Sequence, residues 1–138
     1  MTATFADDCA IVQAEMTARI SGSQEGSWTD PHNSGTYTVT SSTSSFMEAQ
    51  RTTGDGSYTD KLDFSFGASG GGCAVTACSE SQVFSISDFG TNYCNLHDLW
   101  CNSADSCAGV GGDLSYSESV GSCTDSDSSK CFPSSNTW

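Results

Sequence analysis

"AIVQAEMTARISG", residues 10 to 22, is the stretch on which the fold turns. Val12, Ala14, Met16, Ala18 and Ile20 alternate with Gln13, Glu15, Thr17 and Arg19. Apolar residues at every second position put one face of a strand in a core and the other in water. Ala, Met, Glu and Arg also favour helices. A helix, however, needs apolar residues at i, i+3, i+4 and i+7, and these residues give no such apolar stripe. The period-2 reading predicts a strand.

The segments downstream repeat the alternation. "TYTVTSS" points Tyr37 and Val39 inward, and "YTDKLDFSF" does the same with Leu62, Phe64 and Phe66. Gly54-Asp55-Gly56, between "SSFMEAQRTT" and "YTDKLDFSF", supplies the positive φ of a tight hairpin. "GASGGG", Gly67 to Gly72, reads as a flexible loop. "CAVTACSES" and "QVFSISDF" read as two further strands, with Phe84 and Ile86 on one side of the second. "DLSYSESV" reads as a last one, with Leu114, Tyr116 and Val120 on one face. Turn signals recur every ten residues or so. The expected fold is therefore all-β: one antiparallel barrel or sandwich of about seven to eight strands. The Cys-rich C-terminal third is irregular. One domain spans residues 1–138, with 1–8 and 132–138 as loose ends.

Composition sets the class. Ser and Thr make up about 30% of the chain and apolar residues 36%, a thin supply for a core. Eight cysteines compensate, at positions 9, 73, 78, 94, 101, 107, 123 and 131. A chain of this kind is usually a stapled secreted domain, and all eight, Cys9, Cys73, Cys78, Cys94, Cys101, Cys107, Cys123 and Cys131, are expected in disulfides. The expected pattern has local pairs in 94–131 and one long-range bridge from Cys9. "MTATFADD" lacks the basic start and apolar core of a signal peptide. An extracellular location then implies a mature chain behind an added Met1.

The net charge of −13 comes from 17 acidic residues against Arg19, Arg51, Lys61 and Lys130. Four scattered cations do not make a phosphate-binding surface, so nucleic acid is not an expected partner. No apolar run is long enough for membrane insertion.

"CNLHDLWC", Cys94 to Cys101, carries the residue types of a site. The spacings Cys73-x4-Cys78, Cys94-x6-Cys101 and Cys101-x5-Cys107 match no paired zinc motif, so no metal ligand is assigned. A catalytic thiolate needs a free cysteine, and none is left when all eight pair. The stretch reads as a stapled loop, with His97 and Asp98 on its surface and Leu96, Leu99 and Trp100 pinning it down. Calcium is the one cofactor considered, at "DGSYTD" (Asp55, Asp60) or "TDSDSS" (Asp125, Asp127), although neither follows the EF-hand pattern.

"GSWTDPHNSGTYTV", residues 26–39, resembles the Gly-x-Trp opening of avidin- and lipocalin-type barrels, whose Trp closes one barrel end. The rest of the chain follows neither family. Trp28, Tyr37, Phe64, Phe66, Phe84 and Tyr116 are the rings available to line a barrel interior or mouth. The leading expectation is a secreted binding module for a small apolar or sugar-like ligand. The second is a structural protein of an extracellular coat or matrix. The third is a small secreted hydrolase using Asp or Glu, signalled by a close pair of buried carboxylates. No catalytic residue is assigned, and a non-enzymatic role is favoured.

Overall fold

A computed structural model describes residues 1–81 and 91–119. The strand read at 82–89, with Phe84 and Ile86, lies outside the described residues, as do Val120, Cys123, Asp125, Asp127 and Cys131. The elements in order are β1 (Thr2–Phe5), α1 (Cys9–Glu25), β2 (Thr36–Ser42), β3 (Phe46–Thr52), β4 (Thr59–Ser69), β5 (Gly72–Ser81), α2 (Thr91–His97) and β6 (Tyr116–Ser119). A single 3-10 turn spans Ser103–Asp105.

The strands form one antiparallel sheet in the order β2-β3-β4-β5-β1-β6. Among the described residues the sheet is open: β2 and β6 are its edges, and it counts six strands rather than seven or eight. The barrel expectation fails because of what covers the inner face. Residues 9–25 are a helix, not a strand, and α1 lies across β2, β4 and β5. It takes the place of the far wall that a barrel would close.

The helix is bracketed by local chemistry. The Asp8 side chain accepts from the Ile11 amide at 3.0 Å, and Gly26 ends the helix in the left-handed region at φ 87°. Its buried positions are Val12, Glu15, Met16, Arg19, Ile20 and Gly22. The first five are i, i+3, i+4, i+7 and i+8, the spacing of a helical face, and Gly22 follows at i+10. Two of them are charged and neutralise each other, with Arg19 Nε 2.6 Å from Glu15 Oε2.

The hairpins follow the sequence closely. β3 pairs with β4 across the 53–58 turn, where Gly56 has φ 76°. "GASGGG" is tighter than a flexible loop: β4 runs to Ser69, β5 starts at Gly72, and Gly70-Gly71 turn between them. Both take positive φ, 55° and 86°, the requirement of a two-residue hairpin turn. On the β2 edge the pairing shifts between Val39 and Ser41, a bulge that makes the open edge a poorer template for another strand.

The first eight residues are not a loose end. β1 sits between β5 and β6, Ala3 and Phe5 are buried, and the Met1 ammonium donates to the Ala77 carbonyl at 3.1 Å. Cys9, the first residue of α1, is bonded to Cys73 of β5 with the Cα atoms 4.9 Å apart. Cys101 is bonded to Cys107. Cys78 and Cys94 are also disulfide-bonded.

Candidate functional site

The rings expected to line a cavity are packing residues. Trp28, Tyr37, Phe64 and Phe66 are buried in the core beneath α1, and Tyr116 is half-buried against Phe5. Trp28 and Tyr37 meet with ring centroids 6.1 Å apart, and the indole N–H donates to the Ala108 carbonyl at 2.8 Å. Trp28 thus seals the C-terminal end of α1 rather than a barrel mouth. Phe64 and Phe66 project inward from β4. Phe84 lies outside the described residues.

Around "CNLHDLWC" the structure differs most from expectation. Residues 91–97 are helical, and His97 and Asp98, read as surface residues, are 1% and 0% exposed. Leu96, Leu99 and Trp100 are fully buried, as a loop anchor requires. Tyr93, His97 and Trp100 are spaced as one helical face, and all three reach Glu118 of β6. The Tyr93 hydroxyl donates to Glu118 Oε1 at 2.5 Å. His97 Nδ1 lies 2.6 Å from Glu118 Oε2, and the Trp100 N–H donates to the same oxygen at 2.7 Å. Burial works against ionising Glu118. The bonds from His97, Tyr93 and Trp100 outweigh it and hold the carboxyl below its ordinary range. Burial, and then Glu118, push the Tyr93 hydroxyl above its ordinary range. This cluster latches the last described strand to α2.

A second polar cluster lies under the 26–35 loop. Arg51 is bonded to Asp30, donates to the His32 carbonyl at 2.5 Å and to Asn33 Oδ1 at 2.9 Å. Asp30 also accepts from the Gly35 amide at 3.1 Å. The Tyr37 hydroxyl donates to the Asn95 carbonyl at 3.1 Å, and the Asn95 amide to Asp60 Oδ2 at 2.6 Å. Asp98 completes the group. A third cluster ties the 108–111 loop to α1: the Val110 and Gly111 amides donate to Glu15 at 2.9 and 2.7 Å.

Among the described residues no three His, Cys, Asp or Glu side chains stand together so as to hold a metal ion. Of the two acids in "DGSYTD", Asp55 is spent on Thr53 and Ser57 in the exposed turn, while Asp60 is buried on Asn95. One motif escaped the sequence reading: Gly67-Ala68-Ser69-Gly70-Gly71 has the G-x-S-x-G form. It is a β-hairpin turn, not the strand-to-helix elbow that exposes a nucleophile.

The outer face of the sheet is the remaining candidate surface. Cross-strand register aligns Ser119, Thr2, Thr76 and Ser65 in one rank over β6, β1, β5 and β4. Ser117, Thr4, Ala74 and Gly67 form the next. Phe46 of β3 follows Ser65 at the end of the first rank and is 36% exposed. The two ranks span about 14 Å by 7 Å at ordinary strand spacings. They carry no charge. The charged side chains of this face, Glu48, Asp63, Lys61 and Glu80, fall in the neighbouring ranks.

Comparison with protein-family models, with curated proteins and with solved structures gave no match. Among the described residues no helix is long and apolar enough to cross a membrane.

Proposed function

We propose that the chain is a secreted, disulfide-stapled binding domain that recognises a sugar-like, polyhydroxylated ligand on the exposed face of its sheet. The observation that supports this is the uncharged double rank of hydroxyl and small side chains, ended by the Phe46 ring, on a chain of net charge −13. Hydroxyls both donate and accept, which suits a ligand made of hydroxyls. An exposed ring beside them offers an apolar face for stacking. The interior is a less suitable place, because α1 and the core rings fill it.

Retention on insoluble polysaccharides, followed by calorimetry with soluble fragments of those retained, tests this. Thr76→Glu, in the middle of the patch, should weaken binding at least tenfold, about 1.4 kcal/mol. Gln50→Glu, on the same face but outside the ranks, should leave it unchanged. No retention on any polysaccharide, or equal losses from both variants, counts against the reading. A structural role in an extracellular coat is the second reading, favoured by the filled interior and the buried polar ties. Co-sedimentation with coat material without sugar affinity would support it. The hydrolase reading loses ground because the carboxyl pair it would use, Asp30 and Asp98, is sealed from solvent.

A further inference from the structure

We infer that Asp30 and Asp98 share one proton beneath the 26–35 loop, and that this proton makes the junction of that loop, β3 and the end of α2 a pH-sensitive lock. The argument begins with charge. Asp30, Asp60, Asp98 and Arg51 are all buried at this end of the sheet. Arg51 and Asp60 are directly opposite in the β3–β4 register, and Arg51 is bonded to Asp30. Arg19, the other buried cation, is matched by Glu15 and gives its Nη1 to the Asp98 main-chain carbonyl at 2.9 Å. Three carboxyls therefore face one available guanidinium. An unmatched carboxylate in a dry interior is costly, and such a group keeps its proton instead.

Hydrogen bonding identifies the group. Asp30 accepts from Arg51 and Gly35, and Asp60 accepts from Asn95. Neither oxygen of an ionised Asp98 has a donor among the described residues. Its hydrogen-bonding neighbour is Asp30, another acceptor. Two carboxylates cannot bond each other without a proton; with one, the Asp98 O–H donates to Asp30. Burial first, and Asp30 second, hold Asp98 well above the usual carboxyl range, while Arg51 and Arg19 act in the opposite sense. Tyr37 from β2 also faces the group and stays protonated through burial and the nearby Asp30.

The sign follows from linkage. Below about pH 4 folded and unfolded chains both hold this proton. Above it only the folded chain does, so stability is lost as pH rises toward the point at which the folded chain releases it. His32 from the loop and His97 from α2 are the other buried titratable groups at this junction. Glu118 and the exposed acids act on the acid side of it.

The test compares the wild-type chain with Asp98→Asn, which keeps a donor to Asp30 and removes the titration. Urea unfolding between pH 5 and pH 8 should show the wild-type unfolding constant rising, relative to the variant, about tenfold per pH unit. Parallel curves would overturn the inference. An infrared spectrum of the native wild-type protein at pH 7 gives an independent answer if the variant does not fold. A protonated-carboxyl C=O band that vanishes on unfolding is expected, and its absence sinks the proposal.

Discussion

His97 sits on the inner face of a short helix with its ring stacked on Tyr93, centroids 5.2 Å apart. Its histidine and carboxylate are a structural pair, with Glu118 arriving from 21 residues away. Glu118 takes three donors, and Gln at that position offers one acceptor oxygen. At least one of the Tyr93, His97 or Trp100 donors would then be left without its bond in a largely dry site. Glu118→Gln should cost about 1–3 kcal/mol at pH 7. The pH dependence has a definite sign. Glu118 titrates lower in the folded chain than in the unfolded one, so its stabilisation is present above about pH 4.3 and fades as pH falls further. Urea unfolding of both proteins at pH 7 and pH 3 should show the gap narrowing at pH 3; a constant gap would mean the carboxylate charge is not what holds the latch. "CNLHDLWC" showed the residue types but not this role. Tyr93, His97 and Trp100 are spaced as a helical stripe, which the stapled-loop reading passes over. Glu118 was not legible, because a lone acid in a strand carries no mark of its partner.

Helix α1 shows how a helical face can hide behind an alternating sequence. Its buried stripe is regular, but Glu15 and Arg19 occupy two of its positions, so a count of apolar residues misses it. Val12, Ala14, Met16, Ala18 and Ile20 gave an alternation that was real in the letters and irrelevant to the packing. The better signal was at the ends: Asp8 before the segment and Gly26 after it are a cap at each terminus. The hairpins were legible because Gly-rich turns and period-2 strands pointed the same way. Tyr37, Phe64 and Phe66 face inward as the alternation implies, but a filled core and an open cavity look alike in sequence. Gly22 offers a test in which two local effects compete. Helix propensity alone says Gly22→Ala should stabilise by about 1 kcal/mol. A Cβ there, however, would lie 2.7 Å from Trp28 Cβ, closer than two carbons can sit. Overpacking of this kind costs about 1–3 kcal/mol, so packing should win and the variant should unfold at lower urea than wild type. Ile11→Ala, on the exposed side at 51%, should stay within about 0.5 kcal/mol and serves as the control. A stabilised Gly22→Ala would mean that the α1–Trp28 junction yields easily.

At the scale of the whole molecule, two of the three cations among the described residues lie inside. Arg19 and Arg51 are buried against Glu15 and Asp30, and Lys61 is left on the exterior beside Glu48 at 3.6 Å. Among the described residues the exterior therefore keeps Lys61 as its cation, while four acids, Glu15, Asp30, Asp60 and Asp98, are buried with the two arginines. The compact chain holds the exposed acids close, and unfolding relieves their repulsion. Against this, the Cys9–Cys73 bond closes a separation of 64 residues, worth roughly 4 kcal/mol in the chain-entropy account. Salt should shift the balance. Screening contracts from about 30 Å at 0.01 M to about 8 Å at 0.15 M, which weakens repulsion between surface acids, most of all between those farther apart than about 8 Å, but hardly touches the buried pairs. The melting temperature should rise by several degrees over that range, the scale of about 1 kcal/mol for a domain of this size. Sodium and calcium chloride at matched ionic strength divide the effect further. Equal rises are the signature of screening alone, and an excess with calcium marks a specific ion site. A melting temperature that does not move between 0.01 and 0.15 M NaCl would mean the exposed acids are too far apart to repel. The small, disulfide-tied core would then carry no electrostatic burden at all.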